Sequence, residues 1–425
     1  MKLSSPRAVA VLLSATSTLL TPALAGNGLN VTGIGAQSLA MSSADLAVPG
    51  SSAAIVANPA NLSQIPGSRF DGSIEPFATY GFSHSDDLNS LQKSDQAFGA
   101  LLNASYAGKL RPDLTFGIGL FVAGGSGTEY KDLANVFGPP DEYAVIFGVT
   151  KIATGLAWQL TPRLSLGAAV NLSFAQIRQK VFPNTSNAAA GFYGLRLDSA
   201  SGYSLNGRVG LLYQLSDTVK LGASYSSVNK LKLKGGRVAV NYSDLGEGVV
   251  DYGNARVKGF ALPEDLGIGI AWQATSAWLI STEVTWLNWD GAVNDVVLSA
   301  SQPAGGNADV PQTITLRQPL EFRDQFVFAL GTAYDASDKL RLMAGINLAR
   351  NPIPNRNVTP TINLTQELEF NFGFRRRLNA QWDLSSAIQC QVKKSESARN
   401  PAQPFSNARD GYGVYGVAVE LSRSW

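Results

Sequence analysis

Apolar and polar residues alternate along most of this chain. Leu114, Phe116, Ile118, Leu120 and Val122 share one parity, and Thr115, Gly117 and Gly119 occupy the other. The same period sets Leu164, Leu166, Ala168, Val170, Leu172 and Phe174 against Ser165, Gly167, Asn171 and Ser173. It returns at Leu340, Leu342, Ala344, Ile346 and Leu348, at Leu368, Phe370, Phe372 and Phe374, and at Trp382, Leu384, Ile388 and Val392. Successive side chains of a strand point to opposite faces, so a period of two predicts strands. The uncharged run 266–282 approaches the length of a helical span, yet it alternates too. Leu266, Ile268, Ile270 and Trp272 precede a turn-like Ala274-Thr275-Ser276, and Trp278, Ile280 and Thr282 follow it. A hairpin fits this run better than a transmembrane helix.

Alternation does not say which face meets water. A soluble antiparallel sheet buries its apolar face, whereas an outer-membrane barrel turns that face to lipid and lines its lumen with polar or small residues. Connection lengths separate the two. Tight turns are predicted at Arg111-Pro112-Asp113, Thr161-Pro162-Arg163, Ser216-Asp217, Thr275-Ser276, 335–338 and Asn379-Ala380-Gln381. Longer Gly/Pro-rich connections fall between them, at 124–142, 183–201, 235–258, 294–312, 351–366 and 393–410. Strict alternation of short and long connections marks a barrel with periplasmic turns and long outer loops. Counting from Arg69 gives about fourteen strands, an even number as bacterial barrels require. The fold class is therefore all-β, a transmembrane antiparallel barrel. Trp158, Trp272, Trp278, Trp382 and Trp425 near the turns, with Trp286 and Trp289 at the far end of their strand, predict two interfacial girdles.

Composition narrows the function. Only 16% of the 425 residues are charged, against about 25% in a typical soluble domain. The 34 basic and 32 acidic residues nearly cancel, which excludes a polycationic nucleic-acid binder. One cysteine, Cys390, excludes a disulfide or a cysteine zinc cluster, and one histidine, His84, removes most metal and triad chemistry. His84 falls in the polar stretch 83–87, read as a solvated loop. No phosphate-binding, zinc-protease or calcium-loop spacing occurs, so neither an enzyme nor a cofactor is expected.

The first 25 residues have the form of a cleavable signal peptide. Lys2 and Arg7 precede an apolar stretch at 8–20, and Ala23-Leu24-Ala25 follows. Ser14, Thr16, Ser17, Thr18 and Pro22 disfavour a membrane anchor. The division expected is a signal peptide at 1–25, a plug or hatch at 26–68, and a barrel at 69–425. Segment 26–68 carries almost no charge beyond Asp45 and is rich in small residues, which suits folding inside a wide barrel. A short helix is predicted within 36–46, and a second where Asn58 caps and Pro59 opens the first turn before Ala60.

Several stretches resemble the FadL/TodX-type outer-membrane transporters. These are Gly33-Ile34-Gly35 with Ala57-Asn58-Pro59-Ala60-Asn61-Leu62, then Leu262-Pro263-Glu264-Asp265-Leu266-Gly267-Ile268-Gly269, and Trp286-Leu287-Asn288-Trp289. Phe322-Arg323-Asp324-Gln325 leading into Phe328-Ala329-Leu330-Gly331, and Ile353-Pro354, complete the likeness, which spans the chain beyond the leader. The resemblance implies a monomeric fourteen-stranded barrel, exported to the bacterial outer membrane, with a lumenal hatch. It implies passive uptake of long-chain fatty acids, or alternatively of small aromatic hydrocarbons, with a sideways exit at a kink in the third strand. A general porin or a purely structural barrel is the competing class; the plug-like segment counts against both. The terminal aromatic Trp425 is similar to the signal read by the barrel-assembly machinery.

Three sets of residues become candidates on this reading. Gly124 and Gly125, with Gly117 and Gly119, are candidates for the strand-three kink, although glycines there also relieve crowding in a lumen. Asn58, Pro59 and Ala60 are candidates for holding the hatch. Parity places Glu75, Lys151, Arg208, Glu283, Arg323, Glu369 and Arg375 inward, where most are expected to pair and fix the hatch. Among them Arg323, Arg208 and Lys151 are candidates for a ligand carboxylate. Lys230-Leu231-Lys232-Leu233-Lys234 sets three cations on one face, suited to lipopolysaccharide or, less well, to a ligand funnel.

Overall fold

The computed structural model describes residues 27–95, 97–306, 309–364, 366–398, 405 and 407–425. The signal peptide reading at 1–25 lies outside them. Fourteen antiparallel strands close into one barrel. The first six are β1 (Ser68–Ser85), β2 (Phe98–Arg111), β3 (Leu114–Leu133), β4 (Asp141–Thr161), β5 (Leu164–Asn187) and β6 (Phe192–Gln214). The next four are each interrupted once: β7 (Val219–Ser226 and Asn229–Lys234), β8 (Gly248–Leu262 and Glu264–Gln273), β9 (Trp278–Asn288 and Asp295–Pro303) and β10 (Thr313–Pro319 and Gln325–Ser337). β11 (Leu340–Ala349), β12 (Leu368–Arg377), β13 (Trp382–Ala398) and β14 (Ala408–Ser424) complete the circuit. β14 pairs with β1 from Ser424 opposite Arg69 to Arg409 opposite Ser85, so the last strand closes the barrel on the first.

The tight turns fall where turn chemistry placed them, because Pro112, Pro162 and the Asp/Ser clusters act locally. Several outer connections are shorter than the sequence suggests, although the one between β11 and β12 spans 350–367 in full. β3 continues to Leu133 before β4 begins at Asp141, and β5 runs through Pro183 to Asn187 before β6 begins at Phe192. Pro183 is tolerated because the β5–β6 register shifts between Val181 and Ser186, a bulge that needs no ladder donor there.

The outward parity is apolar. Ile74, Ile118, Val170, Ile268, Phe328, Phe372 and Ile388 are all exposed, which only a lipid-facing band makes favourable. At the short-turn rim Trp158 donates to Asp113 (3.0 Å), Trp278 donates to Thr332 (2.7 Å), and Arg423 stacks over Trp382 and Trp425. Trp286 marks the opposite rim, donating to Asp324 (3.0 Å). Trp289 does not join that girdle. The strand ends at Asn288, and the indole turns inward, fully buried against Phe322 and Gly28.

Candidate transport path

Segment 27–67 packs inside the barrel, and small inward residues make room for it. A Cβ on Gly167 would meet the Ala60 amide nitrogen at 2.3 Å, and one on Gly210 would meet Asn58 Oδ1 at 2.0 Å. Gly222 faces Leu46, and Gly331 and Gly345 face Met41. The first predicted helix is a single turn, Ala36–Ala40, rather than a helix through Leu46. Ser42 and Ser43 adopt positive φ and end it. A 3₁₀ turn at Ser52–Val56 follows, and then another at Pro59–Gln64.

Asn58 caps the last turn as its residue type predicts. Its Oδ1 accepts from the Ala60 amide (3.1 Å), and its Nδ2 donates to the carbonyls of Leu46 (2.7 Å) and Leu211 (2.9 Å). It therefore ties two parts of the segment to β6.

Barrel carboxylates hold the segment, but through its backbone rather than through ion pairs. Glu75 accepts from the Gly35 amide (2.9 Å), and Glu420 from that of Ala36 (3.1 Å). Asp71 accepts from the Ser52 amide (2.7 Å) and its hydroxyl (2.6 Å). Glu283 accepts from the amides of Asp45 (3.2 Å) and Leu46 (3.1 Å). Asp71 and Glu420 were not among the inward charges singled out from sequence; they share parity with Glu75 and with Ser422 on their own strands, which is the signal that finds them.

A cavity of about 240 Å³ lies between this segment and the barrel wall. Ile34, Met41, Leu46 and Val48 line one side, and Lys151, Asn206, Arg208, Ser224, Asp265 and Glu283 line the other. The three candidate cations separate here. Arg208 is neutralised: it donates to Asp265 (2.6 Å), Ser224 (2.9 Å) and the Ala57 carbonyl (2.9 Å). Arg323 is not in the cavity at all. It lies in the irregular break of β10, exposed, with its amide on the Pro352 carbonyl. Parity counted through a break loses its meaning, which is why the inward reading fails there. Lys151 faces the cavity with no ion pair or hydrogen bond among the described residues. Arg375, in register with Arg341 near the short turns, faces the cavity as well.

The wall beside Lys151 is incomplete. The β2–β3 ladder runs from Arg111 opposite Leu114 to Ala104 opposite Leu120 and then stops. Beyond it, Phe98–Asn103 pair with β1 and residues 124–133 pair with β4. The Val122 amide reaches Asn103 Oδ1 (3.0 Å), and farther out the Asp95 amide reaches the Glu129 carbonyl (2.8 Å). Between these lies a seam. A bulge between Val122 and Gly124 displaces β3, and the Leu29 carbonyl accepts from the Gly125 amide (3.1 Å). A Cβ at Gly124 would meet that carbonyl at 2.2 Å, so only glycine lets the two backbones touch. Gly117 and Gly119 do not contribute to the kink. They sit in regular register with Ala107 and Ser105, and their missing side chains admit Leu62, Ile55 and Phe121. Lys151 stands opposite Phe121, where the β2–β3 ladder ends.

His84 is not in a solvated loop. It ends β1 beyond the stacked rings of Tyr80 and Tyr415, outside the lipid-facing band, and is fully buried. Its ring nitrogens meet Asp410 (2.8 Å) and Asp86 (2.9 Å). Burial lowers its pKa, but the two carboxylates outweigh burial and push it up to about 9.

The family model for outer membrane protein transport proteins (OMPP1/FadL/TodX) matches residues 13–420. The fold is similar to the Pseudomonas putida toluene transporter TodX, at 23% identity and a TM-score of 0.78, covering 93% of this chain and 99% of that one. It is similar to the Ralstonia pickettii toluene transporter TbuX, at 17% identity and 0.74, covering 93% and 99%. A Pseudomonas aeruginosa FadL homologue aligns at 16% identity and 0.71, covering 94% and 99%. No curated protein sequence matches the chain.

Proposed function

The chain belongs to the FadL/TodX family of outer-membrane channels for hydrophobic compounds, which are not enzymes, and from that premise we propose passive uptake of an acidic amphiphile, a long-chain fatty acid or a close analogue. The observation that carries this reading is Lys151. It is a cation with no ion pair or hydrogen bond among the described residues, half-buried, near an Asp265 that Arg208 already takes, and facing a cavity lined by Ile34, Met41, Leu46 and Val48. Such a group attracts a carboxylate whose chain lies on apolar walls. Its place opposite Phe121 puts the head group beside the seam at Gly124 and Gly125, which we propose as the lateral exit. Segment 26–68 acts as the hatch, with Asn58, Pro59 and Ala60 holding it closed. Arg208, already matched by Asp265, positions the hatch instead of binding ligand.

The cavity volume favours a second reading. About 240 Å³ lies below the ~300 Å³ at which ordinary ligand pockets begin, and a small neutral aromatic suits that space. One experiment separates the two. Lys151→Gln is compared with wild type for binding of a fatty acid and of a monoaromatic hydrocarbon. On the acidic reading, fatty-acid affinity falls by about tenfold or more while the aromatic is unaffected. Equal affinities for both variants and both ligands would remove Lys151 from the path.

A further inference from the structure

The outer halves of β7 and β8 carry a charge arrangement that uptake through the lumen leaves unexplained. Lys230, Lys232 and Lys234 are exposed and alternate with the buried Leu231 and Leu233, so the three ammonium groups face away from the lumen. Arg256 stands directly opposite Lys234, and Lys258 follows on the same face. Like charges directly opposite across a ladder are destabilising, so the pair needs a compensating anion. The protein supplies none among the described residues: Asp251 is taken by Arg237, and Asp295 by Arg317.

These cations rim a concavity of about 610 Å³ on the barrel exterior. Its shape comes from the interruptions of β8 and β9. The β7–β8 register shifts between Val257 and Phe260, Gly259 takes φ +93°, and a Cβ there would meet the Asp295 carbonyl at 1.8 Å. Small residues, Gly259, Gly291 and Ala292, floor the hollow. Its height is set by what lies below it. On the same two strands Tyr225 and Leu266 are exposed and opposite each other, and they end the lipid-facing band. The lysines follow Tyr225 outward along β7, on the side of the long loops, at the level of outer-leaflet head groups.

We propose that this hollow binds a phosphorylated glycolipid of the outer leaflet, lipopolysaccharide, by its phosphate groups. An anionic head group neutralises the opposed Arg256 and Lys234 and the neighbouring lysines together, while its acyl chains lie on the apolar band beneath. The binding is independent of the lumenal ligand, since none of the five cations lines the inner cavity.

The test uses full-length protein in detergent, with diphosphorylated lipid A as probe and native mass spectrometry as readout. Wild type is expected to retain lipid A and to bind its chemically dephosphorylated form far more weakly. The triple variant K230Q/K232Q/K234Q, checked for heat-modifiable gel mobility, is expected to bind lipid A about a hundredfold more weakly, each cation contributing roughly fivefold. Wild-type protein suffices should that variant not assemble, because the dephosphorylated probe removes the same interaction. Equal binding of both lipid A forms to wild type, or unchanged binding by the folded variant, overturns the proposal. So does displacement of lipid A by an equal amount of phosphatidylglycerol, which would make the hollow a general anionic surface.

Discussion

Replacing Asn58 with Ala tests whether segment 26–68 is a hatch. The substitution removes the cap on the Ala60 amide and leaves the Leu46 and Leu211 carbonyls without the Asn58 donor. A lost N-cap costs about 1 kcal/mol. Each lost net hydrogen bond costs about 1 kcal/mol more, and the weaker Asn61 contact to the Leu46 carbonyl (3.3 Å) offsets part of that. The local cost is about 2 to 3 kcal/mol, which raises the open population of this turn about 30- to 150-fold. Hydrogen exchange at residues 60–65 should accelerate by that factor, with the strands after Ser68 unchanged, since local opening does not require the barrel to unfold. Single-channel ion leak in planar bilayers should rise, and hydrophobic uptake should fall. Adding Pro59→Ala should increase each effect. Gly210→Ala should reproduce them from the barrel side, because its Cβ would meet Asn58 Oδ1 at 2.0 Å. If exchange, leak and uptake in Asn58→Ala all match wild type, the turn is not what holds the segment in the lumen, and the hatch argument fails.

Other perturbations address separate parts of the path. Lys151→Gln should lower fatty-acid affinity about tenfold without changing binding of a neutral aromatic; calorimetry on both ligands decides. Gly124→Val should push Leu29 and Asn30 away from the seam and lower uptake while heat-modifiable mobility stays normal, and uptake at the wild-type rate would refute the exit assignment. His84 is the sole histidine, so its NMR titration is unambiguous, and it should report a midpoint near 9 rather than 6.5. Its folded pKa is raised, so its stabilisation of the outer rim is complete below pH 6.5 and is lost as pH rises through 9. Protease susceptibility of the rim should increase over that interval in wild type and lose the pH dependence in His84→Gln.

Much of the barrel was legible because parity and turn chemistry are local. Leu164 to Phe174 announces a strand wherever it sits, and Pro112 or Pro162 announces a turn. Legibility ends where the path depends on other strands. Nothing near Arg208 reveals that Asp265 neutralises it from β8, or that Lys151 is left without an ion pair beside the same carboxylate. Arg323 misled because the break at 320–324 resets the face on which its side chain emerges. Gly117 and Gly124 look alike in sequence, and only the neighbouring ladders distinguish a packing glycine from one at a bulge. Trp289 read as a girdle residue because its strand ends one residue before it.

The carboxylates of Asp71, Glu75, Glu283 and Glu420 grip main-chain amides of the lumenal segment. An amide is present at every residue except proline, so most of this attachment does not depend on which side chains the segment carries, the Ser51 and Ser52 hydroxyls on Asp71 and the Gln37 amide on Glu420 being the exceptions. Cavity-lining positions such as Ile34, Met41, Leu46, Ala53 and Val56 can therefore change without breaking these contacts, whereas Gly33 and Gly35, at positive φ, cannot. Selection for a new cargo can act on this segment alone, while the cost of change falls on any side chain at Gly35 and on prolines at Ala36, Asp45, Leu46 and Ser52. In a lineage that shifts from one hydrophobic nutrient to another, the plug is the part expected to diverge first, and the four wall acids the part expected to stay.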